Sequence, residues 1–446
     1  MRADQVQQKT PAVAPSAAVR YYGLDALRAI MMLLGLVLHA VVSYMHVSIG
    51  DVWPFRDPST HGAWTRLLLF IHVFRMPIFY VMAGFFAALL LERRGTVSMV
   101  RNRTTRILVP FVIGWIILVP LVGWGFDFAN AAKGATLAKA WNTVSAAPLL
   151  KEYIDSTIHL WFLYYLTMFY AVSLVLDALV RRSPASWRQA WQRPFGRLLR
   201  SRWRPVWFAI PTAGALALTP AGLLHTSTSF VPDPLTFVTY GIFFGFGWLL
   251  YLKRELLSTF DRDAWLQVAL ALALTPINLA MAERSLFKQP DPYGVALGIA
   301  AITGALIVWL FTFGLTGLFQ RHLNRPSPAI RYIVDASYWV YLIHLPFTIW
   351  IPGVLVNLPW PSTIKIIALL VLATPIWWAS YDLFVRNTFI GVLLNGRRYR
   401  RGLPDLKQRP TEGRDAGLPD RTVMDELTPT ARPAVVPRVV REDRET

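Results

Sequence analysis

The sequence predicts an all-α integral membrane protein with about ten transmembrane helices and both termini in the cytoplasm. Three observations carry that prediction. Of the 446 residues, 54% are hydrophobic and only 16% charged, whereas a soluble domain holds about 25% charged residues. The apolar residues come in runs of about 20, enough to cross a hydrocarbon layer ~30 Å thick at ~1.5 Å per residue. The basic residues crowd into alternate connections, as expected of loops retained in the cytoplasm.

Ten apolar segments follow in order, at 24–44, 67–91, 107–126, 157–179, 206–224, 235–252, 264–282, 293–319, 330–356 and 364–394. The first, LDALRAIMMLLGLVLHAVVSY, is an ordinary span apart from Asp25, Arg28 and His39. The second contains LFIHVFRMPIFYVMAGFF, with His72, Arg75 and Pro77. The third follows the basic stretch RNRTTRILVP, and the fourth opens with His159 and Trp161. The fifth and seventh are the weakest, interrupted by Pro211, Pro220 and Pro276; neighbouring helices can satisfy the carbonyls that proline frees. In the sixth, GIFFGFG sets Gly241 and Gly245 at small-xxx-small spacing, which predicts a close helix contact. The ninth, VDASYWVYLIHLPF, carries Asp335, Ser337 and His344.

Loop charge gives the direction. Arg2, Lys9 and Arg20 precede the first span, and Arg93, Arg94, Arg101, Arg103 and Arg106 join the second to the third. The 180–205 connection adds Arg181, Arg182, Arg188, Arg193, Arg197, Arg200, Arg202 and Arg204, and further clusters follow on the same side up to Arg401. The opposite loops hold only Arg56, Arg66, Lys133, Lys139, Lys151, Arg284, Lys288 and Lys365. The net charge of +19 therefore reads as membrane topology rather than nucleic-acid binding. Residues 1–22, polar and without a cleavage-site pattern, are predicted to be a disordered cytoplasmic tail. Residues 397–446, basic and then Pro- and charge-rich, are predicted to be another, leaving 23–396 as the transmembrane domain. There is no cysteine, which excludes disulfides, thiolate metal sites and an acyl-cysteine intermediate.

The ionisable residues inside the spans need a reason, because each is costly there. Arg28 and His39 are eleven residues apart, so they share one helix face about 16 Å apart along the axis. Asp25 lies within ion-pair reach of Arg28. Taken alone, Arg28 can snorkel to the headgroups and His39 can be an interhelical hydrogen bond; the pair on one face points to a conduit. With opposite helix directions, Arg75 falls near the depth of His39, with few acids in the outer half to pair it. His39, His72, Arg75, His159 and His344 are thus predicted to meet in an outer chamber, and Arg28, Arg101, Arg103, Arg106 and Asp335 to line a basic inner mouth. Ser337 falls with Asp335 in the inner half of the ninth span. The histidines lack the spacing and nearby carboxylate of a helical metal pair, so no metal is expected.

With these residues in view, the chain resembles the acyltransferase family 3 membrane enzymes. GLDALRAIMMLLGLVLHA matches the family's Arg or Lys, ten residues, then His pattern, here Arg28 and His39. FRMPIFYVMAGFF, RNRTTRILVP, HLWFLYYL and SYWVYLIHLPF match later family blocks in order, over roughly 21–394. RMPIFYVMAGFF looks most like the periplasmic-glucan succinyltransferase branch. The resemblance implies a multi-pass enzyme of the bacterial inner membrane with a cytosolic acyl-CoA, succinyl-CoA, as co-substrate and no bound cofactor. The acceptor it implies is a hydroxyl of an extracytoplasmic glucan. Arg28 and His39 carry over as functional residues, and with Asp25, which orients Arg28, they form the expected catalytic set. Arg101 and Arg103 match the family's Arg-x-Arg feature, with Arg103 and Arg106 as the competing alignment. Arg75 is expected to contact the acyl donor, and His72, His159, His344 and Ser337 the acceptor chamber. The rival class is a multi-pass exporter or proton-coupled transporter, against which stands the lack of a repeat between the two halves.

Overall fold

The computed structural model describes residues 20–146, 154–288 and 294–396. Apart from Arg20 to Tyr22, both predicted tails lie outside the described residues. Among the described residues, regular structure is helical, with one isolated antiparallel bridge between Ser156 and Ser229.

Among the described residues, eight helical stretches are long and apolar enough to cross a membrane. Helix α1 spans Tyr22–Val42. The next stretch, Gly62–Ala131, runs for 70 residues and contains two predicted segments: α2 (Gly62–Arg103), a π-helical turn at Thr104–Leu108, and α3 (Val109–Ala131). The break lies at Gly95, whose φ of 73° is left-handed and whose surroundings are open; without a Cβ, glycine adopts that conformation at little cost. The chain reverses beyond it. Gly35 of α1 meets Arg75 of α2 and Tyr21 meets Phe85, so these helices are antiparallel.

A short α4 (Leu137–Ser145) precedes α5 (Trp161–Arg182). The basic 180–205 connection, expected as a loop, instead forms α6 (Ala185–Arg200), entered through Ser183–Pro184. Helix α7 (Arg204–Leu216) is the correction to the count of ten. The fifth predicted segment, 206–224, supplies only these 13 residues, or ~20 Å of helix. The chain leaves the helix before Pro220, which cannot continue its hydrogen bonding, and Ala221 is held at a φ of 56°. Helices α8 (Pro234–Leu252), α9 (Ala264–Glu283), α10 (Val295–His322), α11 (Pro328–Leu355) and α12 (Ser362–Ser380) follow the predicted segments. The last segment ends early: a π-helical turn carries it to Val385, and Thr388 then caps a separate α13 (Phe389–Asn395).

Sequence also explains where these helices start. Pro234 and Pro328 occupy the first helical turn, where a missing N–H is harmless, behind Asp233 and Ser327, whose side chains accept from Thr236 N and Ile330 N. Packing divides the helices into central and peripheral. About two-thirds of the apolar window of α10 and 61% of those of α1 and α11 are buried, against 28% for α9 and 33% for α5 and α12. The exposed faces of the outer helices carry Ile116, Leu176 and Val371, as a lipid-facing surface requires.

The predicted glycine contact is relocated. Gly245 has nothing near its Cβ position, and Gly241 touches only the Phe169 ring. The close approach is between Gly84 of α2 and Gly247 of α8, where a Cβ on either would strike the main chain of the other helix, at Phe244 and Val81. A small residue is required on both sides, and only the partner helix identifies which glycine that is.

Candidate active site at the histidine cluster

Helices α1, α3 and α11 run in the same direction. His39 pairs with His344, while Tyr338 bonds the Arg106 carbonyl and Trp350 the Leu121 carbonyl. This alignment separates a histidine end from an arginine end, as the spacing of Arg28 and His39 predicts.

At the histidine end three imidazoles meet. His39 Nδ1 lies 2.7 Å from His344 Nε2. The His159 ring stands edge-on to both, with centroids 6.5 Å from His39 and 5.2 Å from His344. Each of the two partner rings is fixed by a main-chain carbonyl of α11. His344 Nδ1 is 2.7 Å from the carbonyl oxygen of Tyr341, and His159 Nε2 is 3.1 Å from that of Leu342. The second acceptor exists because of Pro346. A residue there with an N–H would bond the Leu342 carbonyl four residues back, and proline has none. His159 is also held by a strained entry: Ile158 has a φ of 46°, which costs a β-branched residue about 1–2 kcal/mol. Thr157 anchors that turn through two bonds to the Thr228 carbonyl, and Tyr341 Oη donates to the His159 carbonyl at 2.9 Å.

Arg75 lies one helical turn from His39. Gly35 and His39 are four residues apart on one face of α1, and the Arg75 guanidinium packs against the bare Cα of Gly35. Arg75 is only 9% exposed, yet no hydrogen bond or ion pair joins it to another described residue, and its Nε is buried without a partner. The hydroxyl of Tyr240 lies within Coulombic range of it, beside the side chain of Thr226. His72, the next turn along α2, bonds the Leu224 carbonyl at 2.8 Å and makes no ring contact with the three central histidines. Ser337 stands two turns before His344 and donates to the Val334 carbonyl of its own helix, outside the cluster.

A connection the sequence reading did not single out covers His39. Residues 43–61 place the Trp53 indole parallel to the His39 ring, with centroids 6.2 Å apart. Trp53 Nε1 donates to Ser43 Oγ, and Phe126 packs edge-on against the indole. The same connection supplies Asp57, whose two carboxylate oxygens each accept from Lys365 Nζ at 3.0 Å; the ammonium also donates to the Val356 carbonyl. Lys365, expected in a solvated loop, is therefore a buried, fully paired cation at the start of α12. Helix α12 begins outside the apolar run, far enough for this lysine to reach the Asp57 turn.

At the arginine end, Asp25 pairs with Arg20 at 3.3 Å and more loosely with Arg28 at 3.8 Å. Arg28 also lies over the Phe86 ring, and Arg103 donates to the Phe86 carbonyl while stacking on Tyr170. Arg106 sits within Coulombic range of Arg28 and Arg103, with its guanidinium against Gly396. Arg101 is exposed. The structure thus groups Arg28 with Arg103 and Arg106 and leaves Arg101 to the side. Asp335 pairs with Arg331 at 2.7 Å.

The acyltransferase domain family matches residues 21–382. The chain is also similar to the glucans biosynthesis protein C of Salmonella paratyphi A and of Salmonella agona. Identity with each is 25% over 404 residues, covering 88% of this chain and 97% of the relative. The Salmonella typhi protein of the same name is equally similar, at 25% over 403 residues. No solved structure matches.

Proposed function

The chain belongs to the acyltransferase 3 family, and from that premise we propose that it is an O-acyltransferase of the bacterial inner membrane that moves a succinyl group from cytosolic acyl-CoA to a hydroxyl of an extracytoplasmic glucan. The glucan is inferred from full-length similarity to proteins named for glucan biosynthesis. The observation that carries the chemistry is the setting of His39, a partly accessible imidazole hydrogen-bonded to buried His344 and flanked by Arg75, a cation without a partner among the described residues.

In the proposed step, the sugar hydroxyl attacks the thioester carbonyl as His39 takes its proton. The new ester C–O bond forms, the C–S bond breaks, and the proton passes to the departing thiolate to give free CoA. General-base assistance of this kind contributes about 10²–10⁴-fold. Arg75 holds the distal carboxylate of the succinyl group, and Tyr240 offers it a hydroxyl. At the other end Arg28, Arg103 and Arg106, with exposed Arg101 at the margin, attract the CoA phosphates, for which guanidinium forks are suited. Asp25 orients Arg28. His72 and His159 border the space in which the acceptor lies, and Ser337 has no part in the step.

The test is the ester-linked acyl content of extracytoplasmic glucans in cells with wild-type protein or His39→Ala at matched membrane levels. Loss of acyl groups from glucan still present outside is the expected result. Unchanged acylation removes His39 as the base, and loss of the glucan itself favours the transporter class.

A further inference from the structure

The hydrogen-bond chain through the cluster has a defined polarity. A carbonyl oxygen only accepts, so the 2.7 Å contact to the Tyr341 carbonyl places a proton on His344 Nδ1. Among the described residues neither His344 nor His39 is hydrogen-bonded to a carboxylate, and a neutral His344 then has its lone pair at Nε2. That nitrogen faces His39 Nδ1 at 2.7 Å, so His39 must be the donor, with its own proton on Nδ1. The lone pair of His39 is left on Nε2. His39 is also the accessible member of the cluster, since His344 is 1% and His159 7% exposed.

We infer that His344 is a positioning residue: anchored by the Tyr341 carbonyl, it holds His39 in the tautomer whose bare Nε2 takes the proton of the acceptor hydroxyl. The inference rests on His39 being the base of the proposed reaction. The arrangement performs the work of the carboxylate in an Asp-His pair, which fixes the tautomer and orientation of its histidine, with a neutral imidazole and a main-chain carbonyl in its place. It also serves the protonated intermediate. Once Nε2 has taken the proton, the His39 Nδ1–H bond to His344 becomes charge-assisted and shares the positive charge away from the reacting centre. His159 fits the same pattern: its Nε2 donates to the Leu342 carbonyl, so its buried, unpartnered Nδ1 carries a lone pair. The cluster therefore presents acceptors, as a hydroxyl-bearing substrate requires.

The experiment is nitrogen-15 magnetic resonance of histidine-labelled, full-length protein in lipid nanodiscs, with His39→Ala used to assign the His39 signals. It is paired with steady-state transfer from succinyl-CoA. Wild type is expected to show His39 protonated at Nδ1 and bare at Nε2. His344→Leu is expected to move the proton to Nε2 and lower kcat about 10²-fold or more, the scale of losing a correctly presented base, with KM for succinyl-CoA within about twofold. In His344→Gln the carboxamide oxygen can accept from His39 Nδ1, so tautomer and activity return to within about tenfold of wild type. A wild-type His39 carrying its proton on Nε2, or a His344→Leu enzyme that keeps its kcat, overturns the inference. Transfer that survives His39→Ala overturns the base assignment itself, a separate result from the tautomer that the spectra report.

Discussion

Arg75 and Lys365 are both cations buried near the histidine end, and the protein treats them in opposite ways. Lys365 is enclosed by its own chain: two carboxylate oxygens and a carbonyl of the described residues meet its three N–H groups. Arg75 has five N–H donors and no hydrogen-bonded or ionic partner among the described residues. A buried charge without a partner costs several kcal/mol; in the proposed reaction the succinyl carboxylate would be to Arg75 what Asp57 is to Lys365. The difference also explains what each fixes. Lys365 ties the 43–61 connection, with Trp53, down over His39. Arg75 stands against Gly35, where no side chain separates it from the space beside His39.

The comparison can be broken in three ways. The largest effect is expected at the paired cation. Lys365→Met leaves Asp57 buried and uncompensated and should cost about 3–5 kcal/mol of stability. Asp57→Leu with Lys365→Met should recover most of that loss, as read by thermal unfolding in detergent. A single variant as stable as wild type would remove the structural role given to Lys365.

Next is the unpaired cation. Arg75→Gln should leave thermal stability equal or higher, because a buried charge is removed, while succinyl transfer falls about 10²-fold, the worth of one or two charge-assisted hydrogen bonds. Transfer from butyryl-CoA, which has no distal carboxylate, should change far less. Equal losses with both donors would move Arg75 from the carboxylate to the thioester oxygen. The smallest effect in stability is expected at Gly35→Ala. The new methyl meets the end of a flexible side chain rather than main chain, so a crowding cost of about 1 kcal/mol is offset by the ~1 kcal/mol that alanine gains over glycine within a helix, and stability should change little. Succinyl transfer should still fall, because the guanidinium has to move away from His39. A collapse in stability instead would make Gly35 a packing glycine like Gly84.

Part of the site was legible before the fold. The eleven-residue spacing of Arg28 and His39 is a property of helix geometry, and positions four residues apart on a helix share a face wherever that helix lies. Arg75 and His344 stand out in the sequence because ionisable groups are expensive in hydrocarbon. Trp53, Asp57 and Gly35 gave no such signal. A tryptophan near a membrane surface, an aspartate in a loop and a glycine in an apolar run are ordinary in sequence, and each acquires its role from a partner far along the chain. Ser337 shows the converse: a polar residue on the right helix whose hydroxyl is satisfied by its own backbone.

The motif blocks carried the resemblance to the family, whereas composition and the apolar runs were enough to establish a multi-pass helical protein and the approximate bounds of most helices. These depend on solvent and on local helical geometry, which short stretches of chain contain in full. Tertiary structure alone decided that the fifth segment stops as a short helix, that Gly247 rather than Gly245 meets α2, that Lys365 is paired while Arg75 is not, and which imidazole nitrogens face one another. Each of those outcomes depends on which atoms of distant segments arrive at contact distance, and no local pattern encodes that meeting.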